Sequence, residues 1–556
     1  MEDKIRIFCK NTEIYQEFKA GVSLLEVYEQ MGISLPFRLA GAKVNNKSEA
    51  LSFQCFRHKD VEFLDMSDAS GMRSYVRSLC FVLSKAVNDL FPDDIIYIEH
   101  PVSKGYYCEL AINKTITEEL IDRLRDRMSE IIAEDLPFEI RSAQTDEVVE
   151  LFREHNMEDK ALLLETSGKV YATYNVLGRH IDYYYGALLP STRWIYLFDI
   201  EKYNGGLLLR IPSMNSPEKL QPLVKQDKMM AVFREMLAYQ KAMNLTNVGD
   251  LNKANRQGDI PTLVKVSEAL QERKIVKIAD EIAERYKEGH ARIVLISGPS
   301  SSGKTTFCKR LQIQLLANVL NPLSISLDDY YVNRKDTPMT EEGEYDFESL
   351  YAIDLDLFNS DLEKLLRGEK IALPTFDFTI GERVYKGNTI QMTDNSVLIM
   401  EGIHALNPEL IPHIDQSLTY KVYVSALTTI SLDNHNWIPT TDNRLIRRIV
   451  RDHQFRNYSA RETIFRWKSV RKGEEEWIFP YQEEADAMFN SAMLYELAAL
   501  RRTAEPILTK VSPNEPEYSE AYRLLKFLSY FDYINVDELP NTSLLREFLG
   551  GSSFRY

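Results

Sequence analysis

The run Gly298-Pro299-Ser300-Ser301-Ser302-Gly303-Lys304-Thr305 satisfies the pattern G-x-x-x-x-G-K-[ST]. It lies between an apolar strand-like run, Ile293 to Ser297, and a helical run, Thr306 to Leu320. Glycines at 298 and 303 permit a tight path along which backbone N–H groups can wrap a chain of phosphates, and the following helix aims its positive end at the anion. Ser300, Ser301, Ser302 and Thr306 complete the expected contacts to ATP. Lys304 is expected to reach the β- and γ-phosphates, and Thr305 to offer its hydroxyl to Mg²⁺.

A phosphate loop serves kinases, GTPases, motor ATPases and sulfotransferases alike, so other residues must choose among them. Ser326-Leu327-Asp328-Asp329-Tyr330-Tyr331 ends the next strand-like run, where open α/β sheets bind ligands. Asp328 is positioned there either for an acceptor hydroxyl or as part of an acidic turn. Ser396 to Gly402 reads as a buried strand ending in Glu401, a carboxylate suited to holding the metal or its waters; the other reading is a solvated strand end. Arg444, Arg447, Arg448 and Arg451 fall along one side of a helix by three- and four-residue steps. They form either a lid that neutralises charge on the transferring oxygens or a solvated basic face paired with Asp452.

These residues need a scaffold. From about residue 288 onward, strand-like runs (Ile293 to Ser297, Leu323 to Leu327, Val397 to Met400, Tyr420 to Val424) alternate with longer helical patterns, the signature of a parallel sheet with covering helices. Residues 211–287 read as a helical connector, rich in Lys, Glu, Gln, Ala and Leu. Before it, short β-like runs and an amphipathic stretch from Ser23 to Met31 form one small α+β module. Apolar faces on Arg73–Phe91 and Thr117–Ile132 mark a second, larger one. The fold class expected is α/β, with a parallel sheet and covering helices in the C-terminal half and two α+β domains ahead of it. Residues 511–556, aromatic-rich, read as a docked tail.

Composition sets outer limits. The chain has 556 residues, 44% hydrophobic and 27% charged, with 67 Lys and Arg against 83 Asp and Glu and a formal net charge of −16. That is ordinary globular composition for several domains, and it excludes a disordered or fibrous chain. The acidic balance argues against coating duplex DNA. Five scattered cysteines with no Cys-x-x-Cys pair fit reduced thiols, with neither a disulfide framework nor a Cys-based zinc site. The first ten residues mix charges into apolar positions and no apolar run is long enough to span a membrane, so a cytoplasmic location and no membrane partner are expected.

Taken in order, G-P-S-S-S-G-K-T-T, S-L-D-D-Y-Y, E-Y-D-F, P-T-F-D-F, L-I-M-E-G-I-H-A-L and R-L-I-R-R-I-V-R-D resemble the uridine kinase and phosphoribulokinase family over about residues 288 to 500. The resemblance implies a P-loop NTPase-type domain, placed at 288–510, that uses ATP and Mg²⁺ to phosphorylate a sugar hydroxyl, usually the 5′-hydroxyl of a pyrimidine nucleoside. It makes Asp328 the catalytic base acting with Lys304, Tyr331 a substrate-pocket aromatic and Asp346 the acid that grips ribose hydroxyls. Glu401 matches the metal-associated acid, Arg448 and Arg451 the substrate arginines, and Arg447 and Arg456 the lid. Phe376 and Gly381 stand where animal uridine–cytidine kinases carry the tyrosine and histidine that read the base, and Tyr458 replaces another lid arginine.

The first 200 residues resemble the start of threonyl-tRNA synthetases, with a TGS domain at 1–65 and the second additional domain at 66–210. Asp65 to Pro92, Glu134 to Glu139 and Asp146 to Phe152 carry the pattern. In the synthetases this module holds a His, His, Cys, His metal and editing site. Arg77, Phe81, Tyr184 and Leu188 occupy those positions here and supply no imidazole or thiolate, so neither metal nor editing is expected. Two functions follow: a small-molecule kinase, or an RNA-associated, nucleotide-sensing protein whose front half binds tRNA. The acceptor-side residues Asp328, Tyr331 and Asp346 favour the kinase. A homo-oligomer is compatible with either.

Overall fold

The computed structural model describes residues 4–111, 115–340 and 343–555. The first three residues of the charged N-terminal segment read above lie outside them. Residues 4–65 form a five-stranded sheet in the order Ile14–Lys19, Lys4–Cys9, Lys59–Asp65, Leu39–Val44, Lys47–Glu49. The helix Leu24–Met31 packs beside it, started by a reciprocal Ser23/Glu26 capping box and stopped at Gly32 in the left-handed region. The greasy helix expected over 73–91 begins a turn earlier, at Ala69, because the Asp68 side chain accepts from the N–H groups of Ser70 and Gly71. It packs with the helix Glu118–Ala133 and the four-stranded sheet Asp199–Tyr203, Gly206–Arg210, Gly105–Leu110, Ile96–Val102 in a second core.

The connector differs from the expectation. It opens with a hairpin, Pro212–Ser213 paired with Ser216–Leu220, since Pro212 and Pro217 cannot donate to a helical ladder. Three helices follow, Asp227–Met243, Val248–Gln257 and Ile260–Lys287. Leu263, Ile278 and Ile282 of the last lie in one continuous core with Val294, Ile399 and Val422 of the C-terminal sheet and with Phe152 and Leu164 of the front half. Leu524, Phe527, Leu544 and Phe548 join that core, so the last segment is an integral layer rather than an appendage.

The C-terminal sheet has five strands, all parallel, in the order Asn321–Ser326, Ser396–Glu401, Ile293–Ser297, Thr419–Ser425, Ala487–Asn490. Continuous apolar runs such as 293–296, buried at every position, suit a strand covered on both faces. The strand earliest in sequence is central, with neighbours added first on one side and then on the other. Its C-terminal end is therefore a topological switch point, where such sheets open a crevice.

One polar knot ties the halves together. The Lys160 ammonium, 1% exposed, lies 2.9 Å from Asp433 Oδ1 and 3.2 Å from Asp182 Oδ1, and His435 Nδ1 is 2.8 Å from Asp182 Oδ2. Asp433 and His435 belong to the loop between the strand Thr419–Ser425 and the helix Thr440–Phe455; Lys160 and Asp182 belong to the front half. Burial alone would strip the charge from Lys160, but the surrounding aspartates hold its pKa above the ordinary lysine value. Among the described residues no helix is long and apolar enough to cross a membrane.

Candidate active site

The phosphate loop leaves the central strand at the switch point. Gly298 runs so close to the next strand that an added Cβ would lie 1.9 Å from the Val424 carbonyl oxygen, and Gly303 has φ +84 as it enters the helix Lys304–Ala317. Ser301 also adopts the left-handed conformation, φ 59. The loop is braced from outside: Arg444 Nε donates to the Ser300 carbonyl at 2.9 Å, and Arg447 and Ser491 reach the carbonyls of Ser301 and Ser302. Other polar groups of the loop are less satisfied. The hydroxyls of Ser301 and Ser302 are buried without a hydrogen-bond partner, and Lys304 Nζ folds back onto the carbonyls of Gly298 (2.9 Å) and Pro299 (3.2 Å). Orphaned donors and a cation turned on its own loop fit a polyanion.

Strand register brings the acids to the same edge. Glu401 pairs with Ile296 on one side and Ser326 on the other, two residues before Asp328. Thr305 Oγ1 donates to Glu401 Oε1 at 3.1 Å, so hydroxyl and carboxylate stand where a divalent cation would be held, and these donors fit Mg²⁺. Burial pushes the Glu401 carboxyl up to about 7, with Lys304 opposing and Asp328 reinforcing the shift. Asp328 sits in the tight turn Leu327–Tyr330, and burial raises its pKa against the pull of Lys304, Arg456 and Arg451. Lys304 is itself lowered by burial and sustained by Glu401, Asp328 and Glu547.

Beyond Asp328 the cleft becomes aromatic. Tyr331 packs edge-on to Phe376 and Phe378, with centroids 5.6 and 6.4 Å away, and its hydroxyl donates to the Phe347 carbonyl. Asp346 Oδ1 accepts from the Glu348 N–H at 3.1 Å, which fixes this acidic turn. Glu348 itself was not anticipated. Its half-buried carboxyl is raised by burial and feels Arg448, Asp328, Asp346 and Lys304, so it belongs to the same electrostatic cluster.

The arginine helix, Thr440–Phe455, corrects one expectation. Arg447 is not a lid residue: it is fully buried, with Nε and Nη2 on the two oxygens of Glu496 at 2.9 and 2.7 Å and Nη1 on Ser491. Arg444 is likewise buried, paired with Glu474, whose Oε1 also accepts from the Ser300 N–H. Buried guanidinium groups require such partners, and both acids come from segments 30 to 49 residues away. The outer arginines behave differently. Arg448 donates to Ser300 Oγ at 2.7 Å, while Arg448, Arg451 and Arg456 converge on the buried Asp452 at 3.3, 2.8 and 3.7 Å. Arg456, half exposed, and Arg451 are the guanidinium groups that act on Asp328.

In the front half, the four positions expected to align with the synthetase metal site hold no such ligands. Phe81 and Tyr184 pack with centroids 5.3 Å apart, Leu188 is buried, and Arg77 donates twice to the Ala187 carbonyl. Among the described residues no group of three or more His, Cys, Asp or Glu is arranged to hold a metal ion.

Comparison with known proteins finds different relatives for the two halves of the chain. Residues 293–498 match the family model described as the Phosphoribulokinase / Uridine kinase family. The C-terminal half carries a kinase domain of that family. A uridine kinase from Ureaplasma urealyticum is 29% identical over 178 residues, 32% of this chain and 77% of that protein. The N-terminal half matches threonine–tRNA ligases: that of Desulforamulus reducens is 29% identical over 152 residues, 27% of this chain and 24% of the ligase. The chain thus spans about a quarter of the length of that synthetase. A solved structure described as a possible uridine kinase from Bacillus stearothermophilus covers 38% of this chain and 98% of its own, at 19% identity and a TM-score of 0.27. The kinase-family half and the synthetase-like half form one chain.

Proposed function

We propose that this protein is an ATP-dependent kinase that transfers the γ-phosphoryl group to a sugar hydroxyl, the 5′-hydroxyl of a nucleoside being the acceptor the site suits best. The observation that carries the reading is the meeting of Lys304, Thr305, Glu401 and Asp328 at one sheet edge, with an aromatic wall of Tyr331, Phe376 and Phe378 behind them. The similarity to the Ureaplasma uridine kinase supports the substrate class.

Lys304 would leave the carbonyls of Gly298 and Pro299 for the β- and γ-phosphates, and Ser301 and Ser302 would gain partners. Thr305 and Glu401 would hold Mg²⁺, which when bound neutralises charge on the phosphate oxygens. Asp328 orients the acceptor hydroxyl and takes its proton on a carboxylate oxygen as the new O–P bond forms and the bond from the γ-phosphorus to the bridging oxygen breaks. Its raised pKa makes it a better base than an exposed aspartate. Arg451 and Arg456 meet the charge spreading over the transferring group. Asp346 holds ribose hydroxyls and Tyr331 stacks on the substrate. The front half we read as a TGS-like module (1–65) and a synthetase second-additional-domain-like module (66–210), which with the connector (211–287) and tail (511–556) frame the kinase domain (288–510).

A screen of nucleosides and sugar phosphates with ATP and Mg²⁺, followed by ADP release and product mass, tests the proposal. A phosphorylated nucleoside is expected. Salt-sensitive, tRNA-stimulated ATP hydrolysis with no phosphorylated small product would favour the RNA-associated reading instead, to which the threonine–tRNA ligase similarity of the front half lends its support.

A further inference from the structure

The last helical turn of the chain, Arg546–Leu549, reaches the start of the phosphate-loop helix. One oxygen of Glu547 accepts from the Thr306 N–H at 3.1 Å and from the Thr306 hydroxyl at 2.6 Å. Leu544 presses on Gly303, where an added Cβ would lie 2.2 Å from Leu544 Cδ2. Phe548 lies under the guanidinium of Arg447, 4.9 Å from ring centroid to cation. Gln454 of the arginine helix donates to the Leu549 carbonyl at 3.2 Å. The segment therefore touches both the loop that would cradle phosphates and the helix that would supply arginines to them.

We propose that Glu547 is a resident carboxylate gate, occupying in the nucleotide-free protein the donors at the head of the phosphate-loop helix that a nucleotide phosphate takes when it binds. This rests on the ATP-binding reading above. The first N–H groups of a helix of this length, Lys304–Ala317, attract anions by position and dipole, and the buried, unpartnered hydroxyls of Ser301 and Ser302 belong to the loop that leads into it. Two anions cannot share one set of donors without mutual repulsion, so phosphate and carboxylate exclude each other. Leu544, Leu545 and Phe548 are fully buried, which keeps the backbone docked while the half-buried Glu547 side chain swings aside. Ser553 N–H donates to Asn541 O at 2.9 Å, closing this last loop on itself so that the swing leaves its frame intact. The C-terminal segment thus sets the nucleotide concentration at which the loop fills.

The test is calorimetric titration of wild type and Glu547→Gln with the non-hydrolysable analogue AMP-PNP plus Mg²⁺, and separately with adenosine. Glutamine keeps the shape and an acceptor oxygen but removes the charge. A charge at a helix terminus is worth enough to change affinity on the order of tenfold, so Glu547→Gln is expected to bind AMP-PNP about tenfold more tightly and adenosine unchanged. Equal AMP-PNP affinity would make the contact a plain helix cap. Weaker binding would make Glu547 a supporting ligand of the site, and an equal gain for adenosine would mean that the pocket had merely loosened. Each of these overturns the gate while leaving ATP binding in place. Absence of AMP-PNP binding by both proteins sinks the ATP reading and the gate together. Because the variant could fail for lack of folding, hydrogen exchange on wild type supplies a second reading: AMP-PNP should protect residues 298–307 and increase exchange at 546–549. Added protection at 546–549 would contradict the gate.

Discussion

Arg447 and Arg456 stand within one basic run, and their surroundings give them opposite roles. Arg447 is sealed against Glu496, so Arg447→Ala would leave a buried carboxylate unpaired and cost about 3–5 kcal/mol of stability. Arg456 is half exposed beside Asp328, so Arg456→Ala should leave the melting temperature nearly unchanged while lowering kcat on the order of 10³-fold. Thermal melts and steady-state kinetics on the two variants check the pair. Lys304, Thr305, Asp328 and Glu401 were legible because each ends or follows a recognisable strand, and parallel pairing brings such ends together. Glu348, Glu474, Glu496 and Glu547 were not: they enter from loops and helices whose position depends on tertiary packing. Glu474 and Glu496 answer the need of buried arginines for acid partners, a need that shows only once Arg444 and Arg447 are seen to be buried.

At the scale of elements, capping sets several helix starts, as Asp68, Thr117 and Ser23 show at three N-termini. Prolines displaced the expected start of the connector, and its helices are held by the apolar faces they bury. One contact between elements carries a pH signature. His100, on the strand Ile96–Val102, is 2% exposed and stacks on Phe233 of the helix Asp227–Met243 at 3.4 Å between centroids; its Nε2 has no hydrogen-bond partner. Burial pulls its pKa down to about 3. The unfolded chain protonates this histidine below about pH 6.5, while the folded chain does not until near pH 3. Its contribution is therefore intact above 6.5 and is lost as pH falls through that window. His100→Phe should flatten the acid limb of the stability curve by about 1.4 kcal/mol per pH unit between pH 6 and 4, measured by urea denaturation. An unchanged slope would refute the assignment.

Across the whole molecule, two halves with different relatives share one core and one buried ionic knot. Their separate resemblances were readable as motifs, but the sequence did not reveal that Lys160 of the front half would be neutralised by Asp433 of the kinase half. Residues 273 apart meet only once both modules are docked. Lys160→Met should leave two aspartates buried without their cation and cost about 3–5 kcal/mol, seen as a lowered denaturation midpoint of the full chain. The proposed phosphoryl transfer takes place in the cleft between phosphate loop and turn. It is tested most directly by following the terminal phosphorus of γ-³²P-labelled ATP in wild type and Asp328→Asn, in the presence of a nucleoside mixture. Label is expected on a nucleoside hydroxyl with wild type, and transfer reduced about 10²–10⁴-fold with Asp328→Asn while ATP affinity stays the same. Label found only in inorganic phosphate, or transfer undiminished in Asp328→Asn, would contradict the proposal.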